Sequence, residues 1–201
     1  MGESRKGRHS RGYLPHIDAD GLTQFVTIRL ADAVPLPLIR QWKERLSLED
    51  QAQSQDPKGA LELQRWIARF EDRGHGACFL KKPNVAAAVQ EILLNSIPGL
   101  MHWFIMPNHL HFLFRSDGEP MGTTMRNLKG RTARKVNQLL GRTGSLWFPD
   151  YFDRMIRDHD HLRRTVFYIE QNPVKAGLAR TMEEWEFGSA SYAGNHSDGA
   201  D

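Results

Sequence analysis

The sequence predicts an α+β fold: a ferredoxin-like β-α-β-β-α-β core, an inserted helical pair, and a C-terminal helix carrying a tyrosine. Three observations lead there. Short β-prone runs alternate with longer stretches whose apolar residues recur at helical spacing. A Pro-Asn turn joins two consecutive strand-like runs mid-chain, which makes one antiparallel hairpin. A helix-length stretch separates that hairpin from a further strand on each side.

Residues 1–20 are polar and basic, with Arg5, Lys6, Arg8 and Arg11, and read as a disordered lead-in. Residues 24–30 read as a strand, because Phe25, Val26, Thr27 and Ile28 are β-prone. Pro35 and Pro37 punctuate the chain, and residues 38–48 read as a helix. A polar loop at 49–57 leads to a second helix at 58–72. Its Leu63, Trp66, Ile67 and Phe70 share one face, and Gly74 and Gly76 end it. These two helices are extra to the core plan. A third helix covers 83–97, with Pro83 in its first turn. The hairpin strands are 100–106 and 110–115, a fourth helix is 123–140, and the last strand is 150–157. The final helix spans 160–171 and is stopped by Pro173, since the residue before a proline avoids the α region. One domain is expected over 21–188, followed by a flexible tail at 189–201.

The chain has 201 residues, 40% hydrophobic and 25% charged, which suits a single globular domain. No run approaches the roughly 18 apolar residues of a membrane helix. The basic N-terminus is not followed by an apolar segment, so no secretory signal is read there. The single cysteine, Cys78, excludes an intramolecular disulfide and a multi-cysteine zinc site. A cytoplasmic protein is expected. The net charge is +3 and the isoelectric point about 9.1. The excess is concentrated: residues 121–142 hold Arg126, Lys129, Arg131, Arg134, Lys135 and Arg142, with no acidic residue. Such a window favours a polyanion, although charge runs are more often solvated faces.

His109-Leu110-His111 opens the second hairpin strand. Strand side chains alternate, so both imidazoles face one way and Leu110, Phe112 and Phe114 the other. Two imidazoles on one face can bind a divalent cation; an isolated pair of this kind is more often two surface histidines on a solvated face. On the last helix, Tyr168 and Asn172 are four apart and share a polar face with His161, Arg164 and Thr165. A phenol attacks phosphorus when a cation neutralises the phosphate, so the two features are chemically compatible. Two histidines and an amide oxygen would suit Mg²⁺ or Mn²⁺, with a slight tilt toward Mn²⁺.

At these residues the chain resembles the HUH single-tyrosine transposases, in the branch of REP-associated tyrosine transposases. The resemblance is carried by MPNHLH from Met106, by WFPDYFDRMIR from Trp147 and by YIEQNPVKAGL from Tyr168. FVTIRLAD from Phe25 and Gly74-His75-Gly76 are similar to longer members. It extends over about residues 22–188.

The resemblance implies an HUH endonuclease palm, with Tyr168 as nucleophile and His109, His111 and Asn172 as metal ligands. Glu170 and Gln171 stand close enough to compete with Asn172. It implies a single-stranded DNA substrate with hairpin-forming palindromes, cut through a 5′-phosphotyrosine intermediate, and a nucleoid-associated location. On this reading the basic helix 123–140 lies beside the active-site groove. Arg126, Lys129, Arg131, Arg134 and Lys135 line the DNA path, and Arg154 and Arg157 meet phosphates. Trp147 is the candidate for stacking an unpaired base, whereas Trp66 and Trp103 read as core. Monomer and homodimer are both compatible with the sequence. A non-cleaving structure-specific nucleic-acid-binding protein is the alternative, and a metal-dependent hydrolase of a small phosphorylated substrate a third reading.

Overall fold

The computed structural model of the chain describes residues 7–10, 15–18, 20–48 and 57–196. In chain order the elements are β1 (Gly7–Ser10), β2 (Pro15–Asp18), β3 (Thr23–Arg29), α1 (Leu36–Arg45), α2 (Pro57–Glu71), α3 (Pro83–Ser96), β4 (Leu100–Ile105), β5 (His109–Arg115), α4 (Met121–Leu140), β6 (Phe152–Met155), α5 (His159–Lys175) and α6 (Ser189–His196).

Four strands form one antiparallel sheet in the order β4-β5-β3-β6. This is the ferredoxin-like order, with β3 as first strand lying between the third and fourth. Pairing of β3 with β5 sets Thr27 opposite His111 and Arg29 opposite His109. The pleat then sorts β5 into two sets. Leu110, Phe112 and Phe114 join Val26 and Ile28 on one face, under Val85, Val89 and Leu93 of α3 and Met125, Leu128 and Val136 of α4. Both helices lie on that face because β-α-β crossovers are right-handed. Fully burying each such side chain contributes about 1.5–3 kcal/mol. The opposite face carries Phe25, Phe104 and Leu113 against Leu162, Val166 and Ile169 of α5. The inserted pair closes on its own cluster of Val34, Ile39, Leu63 and Ile67.

Three expectations change. The lead-in, read as disordered, contains β1 and β2, paired from Gly7↔Asp18 to Ser10↔Pro15. Main-chain pairing needs no apolar side chains, so polarity gave no sign of it. The remainder of that segment and the loop at 49–56 lie outside the described residues. Pro173 does not stop α5, which runs to Lys175 with the proline inside its last turn. Only one intrahelical N–H is lost there, and the carbonyls of Asn172 and Pro173 accept from Ala176 and Leu178.

Nor is the tail loose at its start. Ser189 is buried and Tyr192 packs edge-on to Trp103, ring centroids 5.2 Å apart. The chain before α6 runs along the free edge of β4. Ile105 N donates to Phe187 O (3.0 Å) and Ile105 O accepts from Trp185 Nε1 (3.1 Å). Trp103 N donates to Ser189 Oγ, which donates to Trp103 O, both at 3.3 Å. Phe104 bridges Gly188.

Candidate active site

The Pro107-Asn108 turn delivers His109 and His111 onto the α5 face of the sheet, where both are buried. Asn108 fixes the first ring. Its Nδ2 donates to the carbonyls of Glu71 (3.1 Å) and His75 (2.9 Å), so its Oδ1 is the atom 2.8 Å from His109 Nδ1. His109 therefore donates from Nδ1 and presents a lone pair at Nε2. His111 Nδ1 lies 2.8 Å from Thr27 Oγ1, across the β3–β5 register. The two Nε2 atoms meet at 3.0 Å. Burial pushes His109 well below the usual imidazole range, and His111 down to about 3. Both rings are thus neutral at physiological pH, the state that binds metal.

The inserted pair adds a group that the sequence reading missed. Asp72, just past α2, places Oδ1 3.7 Å from His109 Nε2. The donor atoms of Asp72, His109 and His111 all lie within 4.8 Å of one another. This donor set fits a divalent cation: the Nε2 atoms of two neutral imidazoles converge on a buried point, and a carboxylate oxygen stands beside them. Burial raises Asp72 to about 6, opposed by Lys175. Behind it, Glu71 is fully buried, raised to about 7 by that burial, and bonded to Arg29 at 3.3 Å. Arg29 lies over the Phe148 ring, 4.0 Å from its centroid.

Tyr168 on α5 comes to the same place. Its ring stands edge-on to His111 (5.5 Å between centroids) and to Phe25 (6.0 Å). Burial, then the charge of Asp72, raise the phenol well above its ordinary value, while the Asn172 side chain beside it acts the other way. Asn172 is itself buried, one helical turn on. Glu170 points elsewhere: its Oε1 is engaged by His102 Nδ1 at 3.0 Å.

A groove of about 810 Å³ opens over His111 and Tyr168. Arg65 of α2, Arg154 of β6, Arg157 just beyond it and Arg164 of α5 stand around it, with Asp150 and Asp153 also in the wall. Arg154, Arg157 and Arg164 are exposed. Arg65 and Arg164 were not singled out as phosphate contacts from sequence.

The basic helix is not at this groove. α4 covers the opposite face of the sheet, and Arg126, Arg131, Arg134 and Lys135 are exposed on its outer side. Arg131 bonds Ser96 Oγ at 2.7 Å. Lys129 donates to the carbonyls of Phe148 and Pro149, both at 2.7 Å. Trp147 is buried and its Nε1 donates to Thr132 Oγ1 at 2.8 Å, so its ring offers no face to a base. The physical reason is shared: Met121, Met125, Leu128 and Val136 must bury against Leu110 and Phe112, which point away from the histidines.

Residues 81–172 match a family model described as Transposase IS200 like. Over 85 residues the chain is 27% identical to the REP-associated tyrosine transposase of Escherichia coli (strain K12), covering 42% of this chain and 50% of that one. A relative from Haemophilus influenzae is 25% identical over 96 residues, 42% of this chain and 54% of its own. The chain thus spans about half the length of the curated relatives it matches. The solved structure of a REP-associated tyrosine transposase bound to a REP hairpin superposes with a TM-score of 0.52 at 17% identity, covering 94% of this chain and 86% of that one. That likeness concerns the fold. The resemblance read from the three sequence blocks stands on these matches. Among the described residues no helix is long and apolar enough to cross a membrane.

Proposed function

From this likeness to the IS200-like and REP-associated tyrosine transposases, we propose that the chain is a metal-dependent single-stranded DNA transesterase that cleaves and rejoins hairpin-forming DNA. One observation carries the reading: in an arginine-walled groove the Tyr168 phenol stands edge-on to His111, whose Nε2 lies 3.0 Å from that of the buried His109. A hydrolase of small phosphorylated substrates would need neither the tyrosine nor a groove walled by four arginines.

In the proposed step, Tyr168 Oη forms a bond to phosphorus and the P–O3′ bond breaks. The phenol loses its proton and the departing 3′-oxygen gains one. The products are a 5′-phosphotyrosine ester and a free 3′-hydroxyl. The ester keeps the energy of the phosphodiester, so another 3′-hydroxyl reverses the step and rejoins strands without ATP. His109 and His111 would hold a divalent cation, Mg²⁺ or Mn²⁺, which supplies charge neutralisation at the scissile phosphate. Tyr168 needs that help, since burial keeps its phenol protonated. Arg154, Arg157 and Arg164 meet the strand in the groove. Arg126, Arg131, Arg134 and Lys135 serve DNA that wraps to the far face of the sheet.

The test is an SDS-stable adduct. Labelled single-stranded hairpin DNA with Mn²⁺ should give a covalent protein–DNA band, and Tyr168→Phe should lose it while still binding DNA. Cleavage by Tyr168→Phe at the parent's rate would overturn the assignment. Binding without any adduct in the parent would favour the non-cleaving alternative.

A further inference from the structure

We propose that Asp72, contributed by the inserted helical pair, is the third protein ligand of the cation at His109 and His111, in place of Asn172. This rests on the metal reading above and concerns which chain segment completes the site.

Asp72 Oδ1 is 3.7 Å from His109 Nε2, and the two Nε2 atoms are 3.0 Å apart. Neighbouring ligands of an octahedral ion at about 2.1 Å stand roughly 3 Å from one another. The carboxylate thus needs only a small approach. Asp72 Oδ1 is also buried without a hydrogen-bond partner. A buried carboxylate oxygen with no donor is costly unless something cationic meets it.

The segment carrying Asp72 is held as a ligand's would be. Asn108 ties the carbonyls on both sides of it, at Glu71 and His75, to the same side chain that orients His109. The His75 ring stacks on Phe70 at 4.1 Å. Ala77 N donates to Asp32 Oδ2 at 2.7 Å. Gly76 has φ +87, and a Cβ there would lie 2.7 Å from Asp32 O, so only glycine fits the turn. One asparagine thereby sets both a histidine ligand and the carboxylate. Asn172 instead lies beside Tyr168, one turn further along α5. Two imidazoles and one carboxylate leave open positions for phosphate oxygens.

The experiment is Mn²⁺ binding to the full-length, DNA-free protein, read from the electron paramagnetic resonance of free Mn²⁺. Parent, His109→Ala, Asp72→Ala, Asp72→Asn and Asn172→Ala are compared, with circular dichroism melts in EDTA to confirm folding. The expected result is at least a tenfold loss of affinity in Asp72→Ala, and less than about threefold in Asn172→Ala. Asp72→Asn preserves the shape of the turn and should also weaken Mn²⁺, which separates ligation from a folding defect. Parent-like affinity in both Asp72 variants, with loss in Asn172→Ala, would overturn the inference and leave the metal reading standing. Equal binding by parent and His109→Ala would overturn both.

Discussion

Asn108 Oδ1 lies 2.8 Å from His109 Nδ1, and the opposite end of the same amide grips two carbonyls from the segment after α2. A fully buried asparagine with three bonds is a joint between the sheet and the inserted helices. Asn108→Ala should destabilise the protein by about 2–4 kcal/mol, because buried donors and acceptors lose partners. Asn108→Asp should be no milder, since it turns a carboxylate oxygen toward the carbonyls of Glu71 and His75. Urea unfolding of the metal-free protein measures both. A change below about 0.5 kcal/mol would refute the joint.

The convergent imidazoles make a prediction about ligand-linked stability. Saturating Mn²⁺ at about 100 times its Kd should stabilise the folded chain by about 2.7 kcal/mol. For a chain of this size that is a rise in Tm of roughly 5–10 °C. His109→Ala and His111→Ala should each abolish the rise, and EDTA should reverse it in the parent. A thermal shift that survives either substitution would place the ion elsewhere.

The groove and α4 make opposite predictions for salt. Each phosphate contact to a single strand contributes a log–log slope of about −0.7. Arg154→Ala with Arg157→Ala should therefore flatten the slope by about 1–1.5 for a short oligonucleotide that fills only the groove. Arg126→Ala with Arg134→Ala, on the other face, should leave that slope unchanged and matter only for longer DNA. Equal flattening by both pairs would contradict the placement.

Lys129 supplies a pH signature. Burial of its ammonium pushes the group down from 10.5 to about 8. Between those values the unfolded chain keeps a proton that the folded chain has released. Stability from this group therefore rises with pH across the window, is complete above 10.5, and is lost as pH falls through 8. Lys129→Met should remove this upward slope, of the order of 1–3 kcal/mol, from urea melts between pH 8 and 10. A parent curve that falls over that interval relative to the variant would show the sign to be wrong.

That His109 and His111 share a sheet face, and Tyr168 and Asn172 a helix face, was legible from local periodicity, two on a strand and 3.6 on a helix; the roles expected of them came from the resemblance. The fold was legible because the order of elements admits few right-handed arrangements. The same handedness could have corrected the placement of α4, since both crossover helices must share the face of Leu110 and Phe112, away from the histidines. Charge alone obscured this; the five basic residues of the helix read as a groove wall without regard to which side of the sheet the helix must bury. Asp72 was invisible for another reason. Its proximity to His109 depends on where an insertion docks, and no spacing encodes that. The one available trace was Gly76 in the turn that follows, a glycine needed because Asp32 approaches so closely.

The strap of residues 185–189 along β4 has a consequence for how copies of this chain can meet. An open strand edge is a template on which a neighbour's backbone can add, by accident or design. Here the amide and carbonyl groups of Trp103 and Ile105 are already occupied from within the same chain. A second molecule cannot continue the sheet there without first peeling away Trp185, Phe187 and Ser189. That side of the molecule is capped against edge-to-edge pairing, and truncation before Trp185 should increase self-association.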